Sequence, residues 1–297
     1  MATLREVRSR ISGVKQTQKI TKAMKMVAAA KLRRAQSAVL AARPYARGMR
    51  DLLQHLLPTV EPGSEPLLGV RPLRRLGVIV VTSDRGLCGA FNANIVRATT
   101  AHLASVMPGA AGEDVVRLFC VGKKGLDFFV KQALPVPGKY AGLFNHLTFA
   151  AAQTVVRQVV EMYLAGELDR VDIVYNEFKS IAQQRLVVEQ ILPVVPDATP
   201  AGDGHAGADP NYIYEPGQHA IVTALLPRYL QFSVWRALLE SYASEQGARM
   251  TAMEAATENA NEMIRVLQLQ YNKARQSTIT KELLEIVSGA EALKTAN

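Results

Sequence analysis

Residues 250–278 read MTAMEAATENANEMIRVLQLQYNKARQST. Within them Met250, Met253, Thr257, Ala260, Ile264, Leu267, Tyr271, Ala274 and Thr278 follow one another in alternating steps of three and four. A straight α-helix drifts off a 3.5-residue stripe, so a repeat of this length predicts a partner helix and a left-handed supercoil. No proline lies between Arg228 and Asn297. Small residues at several seam positions require the partner to come close. A single long core helix is the plainer alternative.

The other end of the chain supplies the partner. The same steps from Leu4 give Val7, Ile11, Val14, Gln18, Thr21, Lys25, Ala28, Leu32, Ala35, Val39, Ala42, Ala46, Met49, Leu53 and Leu56. Most are apolar or small. Gln18, Thr21 and Lys25 are not, and polar groups in a seam are kept where register or an outside contact matters. Thr3 with Glu6 forms a capping box at the start. At ~1.5 Å per residue the run would extend ~80 Å. Pro44 should kink or end it locally. Two long helices at opposite ends of one chain pair most simply antiparallel.

Between them the pattern changes period. Pro58 to Pro72 is rich in Pro and Gly and reads as a linker. Leu76–Thr82, Val115–Val121, Val171–Phe178 and Arg185–Leu192 read as buried strands. Ala90–Met107, Lys123–Gln132 and Thr148–Leu164 read as helices, and residues 134–147 as an exposed loop. Alternation of this kind predicts a Rossmann-like α/β layer with a largely parallel sheet. Residues 193–209 are a Pro/Gly/Ala-rich loop, and the last helix begins near Gln218, with Pro227 as an early kink and Ser288–Gly289 as its end. The expected organisation is an N-terminal coiled-coil helix (1–57), a central α/β domain (72–195) and a C-terminal coiled-coil helix (210–290).

Composition narrows the function. No run of about 18 apolar residues exists to span a membrane, and no secretory or organelle leader is expected. Two cysteines, Cys88 and Cys120, argue for a reducing compartment and ordinary buried thiols. The formal charge of +9 is lopsided: residues 1–50 hold thirteen of the 35 Lys and Arg and one of the 26 acids, Glu6, leaving the remainder slightly acidic. Nucleic acid, an anionic membrane surface and acidic protein could each answer such a helix. Residues 1–44 contain no aromatic side chain for base stacking, and the apolar seam is too narrow for a membrane-lying helix. Acidic protein is favoured over a merely solvated basic face.

Enzyme-like features are few. The turn Ser83-Asp-Arg-Gly-Leu-Cys-Gly89 could offer N–H groups to phosphate, but it lacks GxxxxGK[ST] and GxGxxG spacing. Gly86 and Gly89 suit turn geometry, with Asp84 and Arg85 as an ion pair. His55, His102, His146, His205 and His219 are scattered, with no metal-ligand spacing and no nucleophile motif nearby.

Five stretches carry a specific resemblance: Ile20–Ala30 (ITKAMKMVAAA), Ser83–Ala90 (SDRGLCGA), Ser244–Met250 (SEQGARM), Tyr271–Gln276 (YNKARQ) and Ile279–Gly289 (ITKELLEIVSG). Together, and in this order, they resemble the gamma subunit of F-type ATP synthase. The resemblance implies a non-catalytic rotary shaft without a cofactor. Its paired helices would stand inside a ring of alpha and beta subunits, and its α/β domain would meet the epsilon subunit and the membrane rotor ring. Proton flow would turn the shaft at the cytoplasmic face of a bacterial inner membrane, with no span of its own and no nucleic-acid partner. It also implies subunit contacts at Met24, Glu245, Arg249, Arg275, Gln276, Thr280 and Glu282, and foot contacts at Tyr212, Tyr214 and Glu215. Small and polar outer residues would suit a bearing. Gly247 departs from the family's usual Ala and would soften the helix near Arg249. The paired cysteines of some photosynthetic relatives are missing. A basic coiled-coil protein that binds nucleic acid is the runner-up, and a phosphate-binding α/β enzyme the third reading.

Overall fold

The computed structural model describes residues 4–57, 65–107, 115–181, 183–195, 214, 215 and 217–295. They fall into two compact units: Met1–Ala28 with Met250–Asn297, and Ala29–Arg249. Helix α1 (Leu4–Leu56) and helix α5 (Gln218–Thr295) each contribute to both.

In the first unit the two helices run antiparallel. Thr21 Oγ1 and Thr257 Oγ1 lie 2.8 Å apart, Gln18 donates to Asn261, and Lys25 Nζ reaches Glu254 Oε1 at 2.5 Å. That register sets the two predicted stripes face to face. Val7, Thr21, Ala28, Met253 and Ala260 are buried, and Leu4, Ile11, Val14, Gln18, Ile264, Leu267, Tyr271 and Ala274 are half-buried. Thr278, the last expected seam residue, is exposed. Capping by Thr3 lies outside the described residues.

The second unit is built on a five-stranded sheet in the order β3-β2-β1-β4-β5. Its strands are β1 (Leu76–Val81), β2 (Val116–Val121), β3 (Gly138–Tyr140), β4 (Arg170–Phe178) and β5 (Gln184–Leu192). The first four are parallel, and β5 returns antiparallel to β4. Helices α2 (Phe91–Val106), α3 (Lys123–Lys131) and α4 (Phe149–Leu164) connect them. Every residue of β1 is buried, as expected of a strand covered on both faces. Ile79, Val81, Phe119, Val121, Ile173 and Tyr175 share a core with α4, the end of α1 and the start of α5. Val78, Val80, Leu118, Cys120 and Val174 pack on the other side with Phe91 and Ile95 of α2 and Phe129 of α3. Within this unit α1 and α5 also pack together, with Ala35 beside Ala243 and the Tyr45 and Phe232 rings 5.1 Å apart.

Several expectations need correction. Residues 138–145 are not an open loop: β3 joins the sheet edge, and a 3-10 turn at Leu143–Asn145 buries Phe144. Pro44 does not end α1, whose last turns are anchored by buried Met49, Leu53 and Leu56. A proline costs a helix interior about 3 kcal/mol, and burying three such side chains, at roughly 1.5–3 kcal/mol each, outweighs it. Pro227 sits inside α5 between buried Leu226 and Leu230, and the helix continues. Helix α5 also passes Ser288 and Gly289 to end at Thr295. Of the linker at 58–72, residues 58–64 lie outside the described set, as does most of the loop at 193–209.

Candidate functional site

The polar patch in the helix pair is turned inward. Gln18, Thr21 and Lys25 bond to Asn261, Thr257 and Glu254, so their first role is to hold register. Thr257 Oγ1 also lies 2.7 Å from the Met253 carbonyl, and Thr21 Oγ1 3.0 Å from that of Gln18; with one proton each, one hydroxyl donates to its carbonyl while accepting from the other across the seam. Met24 is half-buried beside Lys25. Outside the seam, Arg5, Arg8, Arg10, Lys15, Lys19 and Lys22 are exposed and give α1 a basic flank. The outer surface is not uniformly small and polar, because Ile20, Met26 and Val27 are exposed as well.

Beyond Ala274, α5 has no seam. Every residue from Arg275 to Ala290 is exposed. Arg275, Gln276, Thr280 and Glu282 therefore lie on open helix surface; the Thr280 hydroxyl donates to the Gln276 carbonyl at 2.9 Å. Ile279, Leu283, Leu284, Ile286 and Val287 are also exposed. Ile279, Leu283 and Ile286 repeat at helical spacing and form an apolar stripe, the kind of surface that marks an interaction site. The expected sites contained its polar members and missed these apolar ones. Their signal was the apolar spacing that persists after Thr278.

The β1–α2 turn lies where the sheet order reverses between β1 and β4, the position at which open α/β sheets bind ligands. Here the chain closes that position with its own groups. Asp84 does not pair with Arg85. Its carboxylate accepts from the amides of Lys123 at 3.0 Å, Gly142 at 2.7 Å and Phe144 at 3.2 Å. The Lys123 amide opens α3, so Asp84 occupies the anion position at that helix N-terminus. The Ser83 amide donates to Asn92 Oδ1 at 2.9 Å, and the Asn92 amide returns to Ser83 Oγ at 2.8 Å. Among the turn's glycines Gly89 has a positive φ of 58°, and beside it Leu87 has φ 65°.

Glu245 and Arg249 come together at this turn. Arg249 Nη1 donates to Glu245 Oε1 at 2.5 Å, and Nη2 donates to the carbonyls of Arg85 at 3.2 Å and Gly86 at 3.3 Å. The side chains of Arg249 and Glu245 are 11% and 6% exposed. Burial pushes the Glu245 carboxyl above the ordinary range, and the adjacent Arg249 charge and hydrogen bond pull it back. The helix is buried all round here, which its small residues permit. Ser244 Oγ bonds the Asn176 carbonyl at 3.0 Å, and a Cβ on Gly247 would sit 3.4 Å from the Phe178 ring. Gly247 does not break α5, and the Arg249 geometry is formed.

The remaining expected residues are dispersed. Tyr214 is half-buried against the larger core, Glu215 is exposed, and Tyr212 lies outside the described residues. Cys88 and Cys120 are free and buried; desolvation raises both thiols, Cys120 to about 12. His102 Nε2 lies 2.7 Å from Asp172 Oδ2, and Arg170 Nε 2.8 Å from Oδ1, a partly exposed cluster around the buried Asp172 that no sequence motif announced. Among the described residues no group of His, Cys, Asp or Glu could hold a metal ion, and no helix is long and apolar enough to cross a membrane.

Comparison with known proteins accounts for this arrangement. A family model described as ATP synthase matches residues 3–293. The ATP synthase gamma chain of Chlorobaculum tepidum is 48% identical over 295 residues, spanning 99% of this chain and 100% of the relative. That of Chlorobium phaeobacteroides is 49% identical over 295 residues, with 99% and 100% covered. A chain in the Euglena gracilis mitochondrial ATP synthase structure of OSCP, F1 and c-ring superposes with a TM-score of 0.70 at 27% identity, over 98% of this chain and 94% of that one. A chain of the Euglena gracilis ATP synthase rotor gives 0.64 at 26%, over 93% and 98%.

Proposed function

The chain belongs to the ATP synthase gamma chain family, and from that membership we propose that it is the central rotary shaft of a proton-translocating F-type ATP synthase. It couples rotation of a membrane ring to ATP synthesis or hydrolysis on beta subunits. Alpha and beta subunits surround the helix pair, and the epsilon subunit and rotor ring engage the α/β domain. The chain is non-catalytic and peripheral, at the cytoplasmic face of a bacterial inner membrane. Its working parts are the coiled-coil segments 1–57 and 210–290 and the α/β segment 72–195.

The observation that carries this reading is the contrast along α5. From Met250 to Ala274 its inner face is buried or half-buried, and from Arg275 to Ala290 all sides are exposed. A bare helix with an apolar stripe is stable in water only weakly by itself. It suits a sleeve formed by other subunits. Arg275, Gln276, Thr280 and Glu282 are the polar contacts in that sleeve, beside Ile279, Leu283 and Ile286. Met24 and the basic flank of α1 face acidic segments lower down, with Glu245 and Arg249. Tyr212, Tyr214 and Glu215 serve the foot. An asymmetric shaft biases identical neighbours differently only through unequal contact free energies, which such mixed surfaces provide.

The test is assembly. The full chain should co-purify with alpha, beta and epsilon subunits, and Arg275→Ala with Gln276→Ala should leave it folded while lowering the ATP turnover of the assembled complex. Unchanged coupled turnover would remove those two residues from the contact set. Binding to random DNA with a steep salt dependence, and none to alpha and beta subunits, would favour the nucleic-acid reading instead.

A further inference from the structure

Arg228, Gln231, Phe232 and Trp235 share one face of α5, at the i, i+3, i+4 and i+7 spacing of a single helix stripe. The opposite face, with Leu226, Leu230, Val234 and Leu238, is buried in the larger core, so this stripe looks outward. Two helices flank it. On one side Tyr45 of α1 lies 5.1 Å from the Phe232 ring, tilted by 59°. On the other, Phe149 of α4 meets Trp235 edge-on at 6.1 Å, and Gln153 donates to Gln231 at 3.1 Å. Four aromatic side chains thus cross three helices in a row. Phe232 and Trp235 are half-buried, while Tyr45 is 56% and Phe149 39% exposed. Single exposed apolar residues are ordinary, but a contiguous aromatic patch marks an interaction surface.

Its charge is one-sided. The Phe149–Trp235 and Gln153–Gln231 contacts make α4 antiparallel to α5. Arg157, one turn past Gln153, and Arg228, one turn before Gln231, therefore lie at the same end. Both are exposed, and none of the residues named on this surface bears a carboxylate. We propose that the surface shared by α1, α5 and α4 docks an acidic amphipathic helix of another protein. The apolar anchors of that helix sit on the Phe232 and Trp235 rings, between Tyr45 and Phe149, and its carboxylates face Arg157 and Arg228. Trp, Tyr and Arg are the residue types that most often dominate an interface, and an apolar stripe laid along a helix surface is a common mode of recognition. An anionic bilayer is a poorer match, since two cations at about 1 kcal/mol each hold a chain there only weakly. This docking surface does not depend on the rotary reading.

Trp235 is the single tryptophan of the chain, so its fluorescence reports on this surface and no other. The test uses the full chain and two synthetic amphipathic helices of about 18 residues, or five turns. Both carry the same leucine stripe, flanked by glutamates in one and by lysines in the other. The glutamate peptide should shift the Trp235 emission to the blue and shield it from acrylamide, and the lysine peptide should do neither. Tyr45→Ser and Phe149→Ser should each weaken binding about tenfold, as for loss of an anchoring contact. Both side chains are exposed, so the thermal midpoint should stay near that of the unmodified chain. Arg157→Glu with Arg228→Glu should exchange the preference, so that the lysine peptide binds. That double variant alters only exposed residues and decides the matter even if a ring substitution disturbs the fold. Binding of neither peptide, equal binding of both, or binding that ignores the ring and charge variants overturns the proposal. So does shielding of Trp235 by phosphatidylglycerol vesicles alone, which assigns the surface to a membrane. Shielding on concentrating the chain by itself assigns it to a second copy and overturns the proposal as well. No arm involves assembly with alpha and beta subunits, so the rotary reading stands or falls separately.

Discussion

The five-stranded sheet and the helix pair of residues 4–28 with 250–274 hold themselves together in opposite ways. Val78, Ile79, Val80 and Val81 are consecutive and fully buried, with apolar layers on both faces. In the helix pair burial comes about once per turn, and its middle is crossed by polar pairs. A continuous apolar layer maximises area removed from water. A narrow seam with polar markers gives less stability but allows one register. The pair thus keeps its outer surface free for other molecules, and the sheet does not.

The sharpest way to break this comparison is a cavity in the sheet. Ile79→Ala should cost about 2–5 kcal/mol, as for other buried aliphatic truncations. Urea unfolding of the full chain measures it. The equivalent cut in the seam, Ile264→Ala, removes a half-buried side chain and should cost clearly less. Equal costs would mean that the seam is as well packed as the sheet.

Asp84→Ala comes next. It strands three backbone amides drawn from α3 and the chain after β3, and should cost about 2 kcal/mol. It should also speed amide exchange at Gly142 and Phe144. A loss below about 0.5 kcal/mol would mean that water replaces the carboxylate without penalty.

These two sites also show what the sequence could convey. The β1, β2, β4 and β5 strands were legible within a residue because each is a continuous apolar or alternating run, and both seams because their period is sustained. Strand β3 was not, since Gly138 and its neighbouring prolines mask three paired residues. The end of α5 was placed early because Gly289 is a weak stop when the helix is exposed on all sides. Pro44 and Pro227 were overweighted because tertiary burial on either side overrides a local breaker. The Asp84 contacts were invisible: they join residues 39 to 60 positions apart, beyond any local pattern. The left-handed Leu87 was hidden between two glycines that offered a simpler account of the turn.

Gly247 sharpens the comparison on a smaller scale. A Cβ there would meet the Phe178 ring at ordinary contact distance, so Gly247→Ala should fit. Removing a glycine from a helix interior should then stabilise by roughly 0.5–1 kcal/mol. A rise of a few degrees in the thermal midpoint is expected. A fall would show that the 3.4 Å approach is already at its limit, and that the family's usual Ala does not suit this surrounding.

The smallest effect belongs to the seam's own ion pair. Lys25 and Glu254 meet at 2.5 Å, but their side chains are 38% and 46% exposed. Water and salt screen such a pair, and fixing two long side chains costs entropy, so Lys25→Ala should change stability by no more than about 0.5 kcal/mol. That cost should shrink further at 1 M salt. Thr21→Val is the informative companion. It leaves the Thr257 hydroxyl its Met253 carbonyl but removes the marker at the centre of the seam. If polar pairs set register more than stability, both single variants stay near wild type in urea. The double variant should then show a second helix alignment, detectable as new distances between spin labels on α1 and α5. A double variant that loses several kcal/mol while keeping one alignment would reverse the assignment and make the polar centre a source of stability, as the apolar layer is in the sheet.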